Sequence, residues 1–128
     1  MIVLDASVLI AHLDADDAHH ARASALLQAA GSSRLCASRL TLAEVLVGPT
    51  RAGRLEVAVA ALAQLGVDGV GLDADAPARL AGLRASTGLK MPDCAVLLAA
   101  EQMDARVATF DASLAAAARA LGLGVAES

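Results

Sequence analysis

The sequence is poor in aromatic and in basic residues. It contains one Phe and no Trp or Tyr among 128 residues. Because general binders of single-stranded nucleic acid stack successive bases on aromatic side chains, this scarcity argues against an aromatic platform. Lys and Arg together number 10 against 14 Asp and Glu, which gives a formal net charge of −4. Binding by counterion release needs a basic surface, so the charge balance also argues against a simple electrostatic nucleic-acid binder.

Cysteines are few and long apolar runs are missing. Cys36 and Cys94 form no CxxC pair, so neither a zinc site nor a disulfide framework is predicted. Buried, reduced thiols fit a cytoplasmic protein. The apolar N-terminal segment is interrupted by Asp5 and lacks a basic flank, so we expect no signal peptide. No stretch approaches the roughly 20 apolar residues of a membrane span, and we expect no membrane partner.

The length and the apolar content of 57% predict one folded domain over residues 1–128. Short apolar segments at 2–4, 35–37, 67–72 and 106–109 alternate with helical patterns, and 124–125 resembles a frayed last strand. One predicted helix begins after Ser38 and ends at Gly48-Pro49. This alternation indicates an α/β domain with a central parallel sheet of four to five strands and helices on both faces.

Two carboxylates follow predicted strands. Asp5 comes directly after the first strand, and Asp111 comes just after the fourth. In parallel sheets, ligands bind outside the carboxyl ends of the strands, so both side chains are expected at that edge. The structural alternative for either residue alone is a cap on the following helix.

Glu44 lies within an apolar helical segment. It follows Leu40 by four positions and shares a helical face with Ala43 and Val47. An unpaired carboxylate on a buried face would be costly. We therefore expect either an ion pair with an Arg, such as Arg39 or Arg51, or a cation opposite Glu44.

Asp93 follows Pro92, which is a helix-start signal. An acid in the first turn lies at the positive end of the helix, where its charged form is favoured. The helix continues with apolar residues nearly all round, which predicts that it is buried. A plain helix-start Asp is the alternative interpretation.

Together, Asp5, Glu44, Asp93 and Asp111 could meet at one edge of the sheet. Four neighbouring carboxylates cannot all stay ionised without compensation. Oxygen ligands without His or Cys select Mg²⁺ or Mn²⁺. Outside these four residues, acidic and basic side chains balance at ten each. The net negative charge therefore equals that of the predicted site, and we expect divalent cations to reverse the local repulsion of phosphate.

The four carboxylates lie in four short motifs. They are Ile2-Val3-Leu4-Asp5-Ala6-Ser7, Thr41-Leu42-Ala43-Glu44-Val45, Met91-Pro92-Asp93 with Ala99-Ala100, and Thr109-Phe110-Asp111. In this order the motifs resemble those of the PIN-domain nucleases, and the resemblance covers the whole chain. The chain is most similar in size to the VapC toxins of type II toxin–antitoxin pairs.

The resemblance implies a single PIN-like three-layer domain with Mg²⁺-dependent endoribonuclease activity that leaves a 3′-hydroxyl and a 5′-phosphate. Mn²⁺ is expected to substitute for Mg²⁺. The resemblance also implies a homodimer and a cognate antitoxin that holds the nuclease inactive.

Residue by residue, the resemblance makes Asp5 and Asp93 the principal metal ligands. Glu44 and Asp111 would be further ligands, direct or through water, that help to position the attacking water. The hydroxyls of Ser7 and Thr109 would support the carboxylates or the phosphate. The sequence departs from the family pattern in two places. Phe110 occupies a position that is often polar, and only Ser113 offers a polar group close behind Asp111.

Three alternatives are open. A phosphoacceptor receiver domain needs a nucleophilic Asp after the third strand, where Asp73 could serve, but its Lys should follow a strand and Lys90 lies in a predicted loop. A phosphatase with Asp-x-Asp after the first strand would need a second acid where Ser7 stands. A PIN fold retained only for partner binding is the third.

Two surfaces are predicted to meet partners. The apolar fraction exceeds what a lone domain of this size needs, so segment 55–65 is expected to be partly covered by another subunit or by the antitoxin. Basic residues, Arg22 among them, could contact the RNA backbone.

Overall fold

The computed structural model describes residues 1–126, and its centre is one parallel sheet. Its strands are β1 (Ile2–Leu4), β2 (Leu35–Ser38), β3 (Val67–Val70) and β4 (Arg106–Ala108), in the order β3-β2-β1-β4. Beyond β4, Val125 forms a single parallel bridge to Val107. The predicted fifth strand is thus reduced to one bridge, and residues 127–128 of the predicted domain lie outside the described residues.

Seven helices lie within residues 1–126. They are α1 (Ala6–Leu13), α2 (His20–Ala29), α3 (Arg39–Arg51), α4 (Leu55–Leu65), α5 (Ala76–Thr87), α6 (Met91–Met103) and α7 (Ala112–Ala120). In this part of the chain, no helix is both long and apolar enough to cross a membrane.

The helices cover both faces of the sheet because strand side chains alternate between them. Ile2 and Leu4 pack into one core with buried side chains of α1, α2, α3 and α4. Val3 and Val107 pack into a second core with α5, α6 and α7. This arrangement confirms the predicted three-layer α/β domain.

Helix α6 lies inside the second core. All seven residues at 94–100 are buried, as the nearly continuous apolar pattern predicted. Both cysteines are free and buried, one on β2 and one on α6. The buried body of α6 fixes the position of its first turn, which carries Asp93.

The predicted end of α3 at Gly48-Pro49 was wrong. The helix continues to Arg51, with Pro49 inside its last turn. Pro49 removes only its own N–H donor there, and the Thr50 hydroxyl donates to the carbonyl of Leu46 at 2.6 Å. The chain leaves the helix at Gly53, which has a φ of 70° that glycine adopts without strain.

Candidate metal centre

The carboxyl ends of β1 and β4 lie side by side. Leu4 pairs with Ala108 in the parallel register, and the backbone N–H of Asp5 donates to the Ala108 carbonyl at 2.9 Å. The next residues along the two strands, Asp5 and Thr109, are therefore neighbours. Both are buried, with 7% of each residue exposed.

The Asp5 carboxylate is held by two hydroxyl groups. Ser7 Oγ and Thr109 Oγ1 each donate to Asp5 Oδ2 at 2.7 Å. Asp5 occupies the N-cap position of α1, yet its side chain makes no capping hydrogen bond. The alternative interpretation of Asp5 as a helix cap is therefore wrong.

The same two hydroxyls also fasten the segment that follows β4. Ser7 Oγ accepts from the Phe110 N–H at 3.1 Å, and Thr109 Oγ1 accepts from the Asp111 N–H at 3.0 Å. Because each hydroxyl has one proton and directs it to Asp5, the 3.5 Å between the two oxygens is best described as proximity. The network joins Asp5 and Asp111 through hydrogen bonds.

Asp93 lies half-buried in the first turn of α6. Burial raises the pKa of its carboxyl group, and the negative charges of Asp5 and Asp111 raise it further. The positive charge of Lys90 opposes these effects. These interactions place Asp93 within electrostatic reach of both strand-end carboxylates.

Glu44 is not on a buried helix face, which corrects the prediction. The buried side of α3 carries Thr41 and Val45, whereas Leu40 and Val47 are 41% and 45% exposed. Because α3 is apolar on several sides, its sequence did not reveal which side packs inward. Among the described residues, neither Arg39 nor Arg51 forms an ion pair with Glu44.

Glu44 nevertheless faces the other carboxylates. Partial burial of its carboxyl group raises its pKa, and the charges of Asp5 and Asp93 add to the shift. We use the name acidic cluster for Asp5, Glu44, Asp93 and Asp111. Its members come from the end of β1, from α3, from the start of α6 and from the segment after β4.

Asp111 behaves differently from Asp5. Its Oδ1 accepts from the backbone N–H groups of Ser113 at 2.8 Å and Leu114 at 3.2 Å. The side chain therefore caps α7, as the structural alternative predicted, and the residue is exposed. One of its oxygens is engaged, while its charge still acts on Asp93.

The acidic cluster is open rather than closed around a ligand. Within residues 1–126, no three His, Cys, Asp or Glu side chains are arranged to hold a metal ion together. Repulsion between like charges favours such separation. The donors are carboxylate oxygens, the class that hard divalent cations prefer, so the residues present fit Mg²⁺ or Mn²⁺ by chemistry.

A hollow next to Asp111 contains residues that the sequence did not assign to the site. The guanidinium carbon of Arg22 lies 4.5 Å from the centre of the Phe110 ring. The sequence indicates Arg22 only as one of several basic residues, and Phe110 as the one aromatic residue and a departure from a family pattern. Their contact depends on the packing of α2 beside the end of β4, which no local sequence signal reports.

Comparisons with known proteins agree with this architecture. The family model for the PIN domain matches residues 2–120. The comparison with curated protein sequences gave no match.

Solved structures from three bacteria are similar in fold. A toxin–antitoxin complex from Klebsiella pneumoniae has a TM-score of 0.76 at 23% identity, over 91% of both chains. VapC20 from Mycobacterium tuberculosis, described as a sarcin–ricin loop cleaving toxin, has a TM-score of 0.71 at 22% identity, over 91% of this chain and 95% of that one. FitAcB from Neisseria gonorrhoeae has a TM-score of 0.74 at 23% identity, over 99% and 97%.

Proposed function

The chain belongs to the PIN-domain family, and from that premise we propose that it is a Mg²⁺-dependent endoribonuclease acting as the toxin of a type II toxin–antitoxin pair. The observation that carries the proposal is the burial and hydrogen bonding of the Asp5 carboxylate. This buried carboxylate receives two hydroxyl donors, does not cap its helix, and lies within electrostatic reach of Glu44 and Asp93.

Asp5 and Asp93 are the principal residues that would hold the cation, with Glu44 and the second oxygen of Asp111 as further donors. Mn²⁺ is expected to substitute because it prefers the same oxygen ligands. When bound, the ion supplies Lewis-acid stabilisation of phosphate oxygens and an activated water.

The protein's own residues orient this site. Ser7 and Thr109 fix one oxygen of Asp5, and the other, Oδ1, accepts no hydrogen bond from residues 1–126. Such support for a ligating carboxylate is characteristic of metal sites. Glu44 and Asp111 lie at the exposed rim. The charges of both oppose the approach of phosphate until a cation is bound, and Asp111 can offer the oxygen that does not cap α7.

RNA as substrate is supported by the family and by one neighbour in fold, which is described as a toxin that cleaves the sarcin–ricin loop. The buried free thiols are compatible with action in the cytoplasm, which we propose as its location. Membership of the PIN-domain family argues against the receiver and phosphatase alternatives. A receiver domain also needs a Lys after a strand, whereas Lys90 is the N-cap residue of α6.

An antitoxin and a second copy of the chain are the proposed protein partners. Neighbours in fold include toxin–antitoxin complexes. Helix α4 exposes Leu55, Val57 and Val59, with Val57 58% exposed. Leu55 and Val59 are four positions apart and share one side of the helix, and neighbouring exposed apolar side chains favour a surface that a partner covers. The molar mass in solution, alone and with the antitoxin encoded beside it, tests both; a stable lone monomer would count against the homodimer.

The activity is tested by incubating purified protein with RNA, with Mg²⁺ or with a chelator. We expect cleavage that requires the cation and disappears in Asp5→Asn. Asp16→Asn is the matched control, because Asp16 is an exposed acid in the loop after α1 and should retain activity. Cleavage that persists in Asp5→Asn would overturn the assignment. If the folded wild-type protein binds an antitoxin but cleaves no RNA, the PIN fold serves partner binding without catalysis.

A further inference from the structure

We propose that the hollow beside Asp111 is a nucleobase subsite, in which one unstacked base of the RNA packs on the Arg22–Phe110 pair. The proposal rests on RNA being the substrate, as proposed above. It adds a binding site next to the acidic cluster and assigns a role to the one aromatic residue in the sequence.

The hollow has the size and position that a nucleotide needs. Its volume is about 390 Å³, and its lining includes Arg22, Leu26, Phe110, Asp111, Ala115 and Arg119. Thr109 also lines it, so one wall consists of residues that hold or belong to the acidic cluster. A nucleotide in this hollow would keep its phosphate close to the carboxylates.

The Arg22–Phe110 pair offers flat groups of the kind that bases stack on, and the His19 ring also contacts Phe110, with 5.6 Å between the ring centres and a tilt of 44°. The Arg22 guanidinium lies over the Phe110 ring at 4.5 Å from its centre. Nucleobases in single-stranded RNA stack on aromatic rings and on guanidinium planes alike. Leu26 and Ala115 add apolar surface to the lining, which a base tolerates better than a phosphate does.

The stacking surface is fixed relative to the proposed chemistry. The Phe110 backbone N–H donates to Ser7 Oγ, which itself donates to Asp5. The ring also packs partly against the core formed with α1 and α2. Because the same short segment carries Thr109, Phe110 and Asp111, a base on Phe110 would hold the RNA in one register.

Charge around the hollow favours a nucleotide. The protein has a formal net charge of −4, yet Arg22 and Arg119 both line this hollow beside Asp111. Arginine guanidinium groups bind phosphate through paired donors. The guanidinium of Arg22, an exposed residue on α2, can therefore contact the phosphates that flank a base in the hollow.

A single aromatic side chain accommodates one base rather than a run of bases. The site therefore differs from the multi-base platform that the composition argues against. Because the base must leave its stack to enter, we expect single-stranded or looped RNA to bind and a perfect duplex to bind weakly.

The direct test places a fluorescent probe at the ring. Phe110→Trp creates the sole Trp of a chain that has no Trp or Tyr. In an Asp5→Asn background, which prevents cleavage, a single-stranded RNA oligonucleotide should quench this fluorescence. The duplex form should quench it much less. Quenching by an antitoxin peptide but not by RNA would overturn the proposal in favour of a protein-binding hollow.

A kinetic cycle gives the second test. Phe110→Leu keeps an apolar side chain without a flat ring, and we expect roughly a 10-fold loss of kcat/KM, carried by KM, from the lost stacking. In a series of substrates that each lack one base, the wild-type protein should show this loss of kcat/KM at one position only. For that substrate, kcat/KM of the wild type should equal kcat/KM of Phe110→Leu.

Two controls keep the result interpretable. Arg22→Lys preserves the charge of an exposed residue on α2 and removes the flat guanidinium, so a smaller loss of the same kind is expected without loss of folding. If all variants cleave full and abasic substrates equally while Mg²⁺-dependent activity persists, the subsite is wrong and the nuclease assignment stands. If the wild-type protein does not cleave RNA, the assignment itself fails.

Discussion

The same tripeptide, Asp-Ala-Ser, follows β1 and lies just beyond β4, but the two copies adopt different roles. At residues 5–7, the carboxylate is buried and accepts from the Ser7 and Thr109 hydroxyls. At residues 111–113, the carboxylate is exposed and accepts from backbone N–H groups of α7. The same three-residue sequence therefore gives a carboxylate fixed by two hydroxyl groups at Asp5 and a helix cap at Asp111.

The position of each strand in the sheet explains the difference. Strand β1 lies between β2 and β4, whereas within residues 1–126 the far side of β4 has only the Val125 bridge. A carboxylate at the end of the central strand is enclosed by neighbours, and it needs donors there because an unpaired buried charge is costly. A carboxylate near the edge remains in solvent and can cap a helix. The acidic cluster thus contains an enclosed carboxylate held by hydroxyl groups, Asp5, and an exposed one that caps a helix, Asp111.

The largest expected effect separates the two aspartates. Asp5→Asn should lower RNA cleavage at saturating Mg²⁺ by more than about 100-fold, because it removes the oriented charge on which the site depends. Asp111→Asn should lower cleavage less, since Asn can still cap α7. Initial rates on one RNA oligonucleotide measure both. Equal losses at the two positions would mean that burial and orientation do not distinguish the carboxylates.

The next effect concerns the two serines of the repeated tripeptide. Ser7→Ala should reduce cleavage or Mg²⁺ affinity by about 10- to 100-fold, because Asp5 loses a donor that fixes one oxygen. Ser113→Ala is the matched control, since Ser113 contributes its backbone N–H to Asp111 and should retain nearly full activity. Mg²⁺ titrations of the cleavage rate give the comparison. An effect of Ser113→Ala as large as that of Ser7→Ala would contradict it.

The cap itself predicts a stability difference. Asp111→Ala should lower the free energy of unfolding by about 1 kcal/mol, while Asp111→Asn should change it little, because Asn also accepts from the first-turn N–H groups. Urea denaturation measures both variants. A loss of stability of the same size in Asp111→Asn would show that charge, rather than capping, stabilises α7.

The smallest expected effect is a pH dependence of the metal-free protein. The pKa values of Glu44 and Asp93 are raised in the folded state by burial and by neighbouring carboxylates. The folded state therefore binds more protons than the unfolded state between the ordinary and the raised pKa values. The unfolding free energy should fall as pH rises through that interval, and the contribution should remain small because both groups contact solvent.

The pH effect has a clear control. The double variant Glu44→Gln, Asp93→Asn should flatten this part of the pH profile. Saturating Mg²⁺ should remove or reverse the fall in the wild-type protein, because a bound cation favours the charged carboxylates. Denaturant unfolding across acidic to neutral pH provides the measurement. A wild-type profile that rises with pH through this interval, with no change in the double variant, would be incompatible with repulsion within the acidic cluster.

Much of the fold could be predicted because strands and helices alternate along the chain. The parallel sheet, the buried α6 and the cap by Ser38 all follow from local patterns. The end of α3 could not be located, since Pro49 is tolerated in a last turn. Likewise, the exposed side of α3 could not be told from the buried side, because both carry apolar residues.

The proximity of the four carboxylates could be predicted from the sequence, but the surroundings of each one could not. Asp5 and Asp111 have the same local signals, and only the sheet order decides which one is enclosed. That both hydroxyls share a single oxygen of Asp5 depends on the parallel register of β1 with β4. The Arg22–Phe110 contact has the same origin in tertiary packing, which spacing along the sequence does not encode.

Binding of Mn²⁺, followed by its paramagnetic resonance signal, tests the cation site directly in wild type, Asp5→Asn, Asp111→Asn and Asp16→Asn. The wild type and Asp16→Asn should bind Mn²⁺, Asp111→Asn should bind it more weakly, and Asp5→Asn should show the greatest loss. Mn²⁺ affinity that is unchanged by Asp5→Asn would contradict a cation site built around the carboxylate that Ser7 and Thr109 hold.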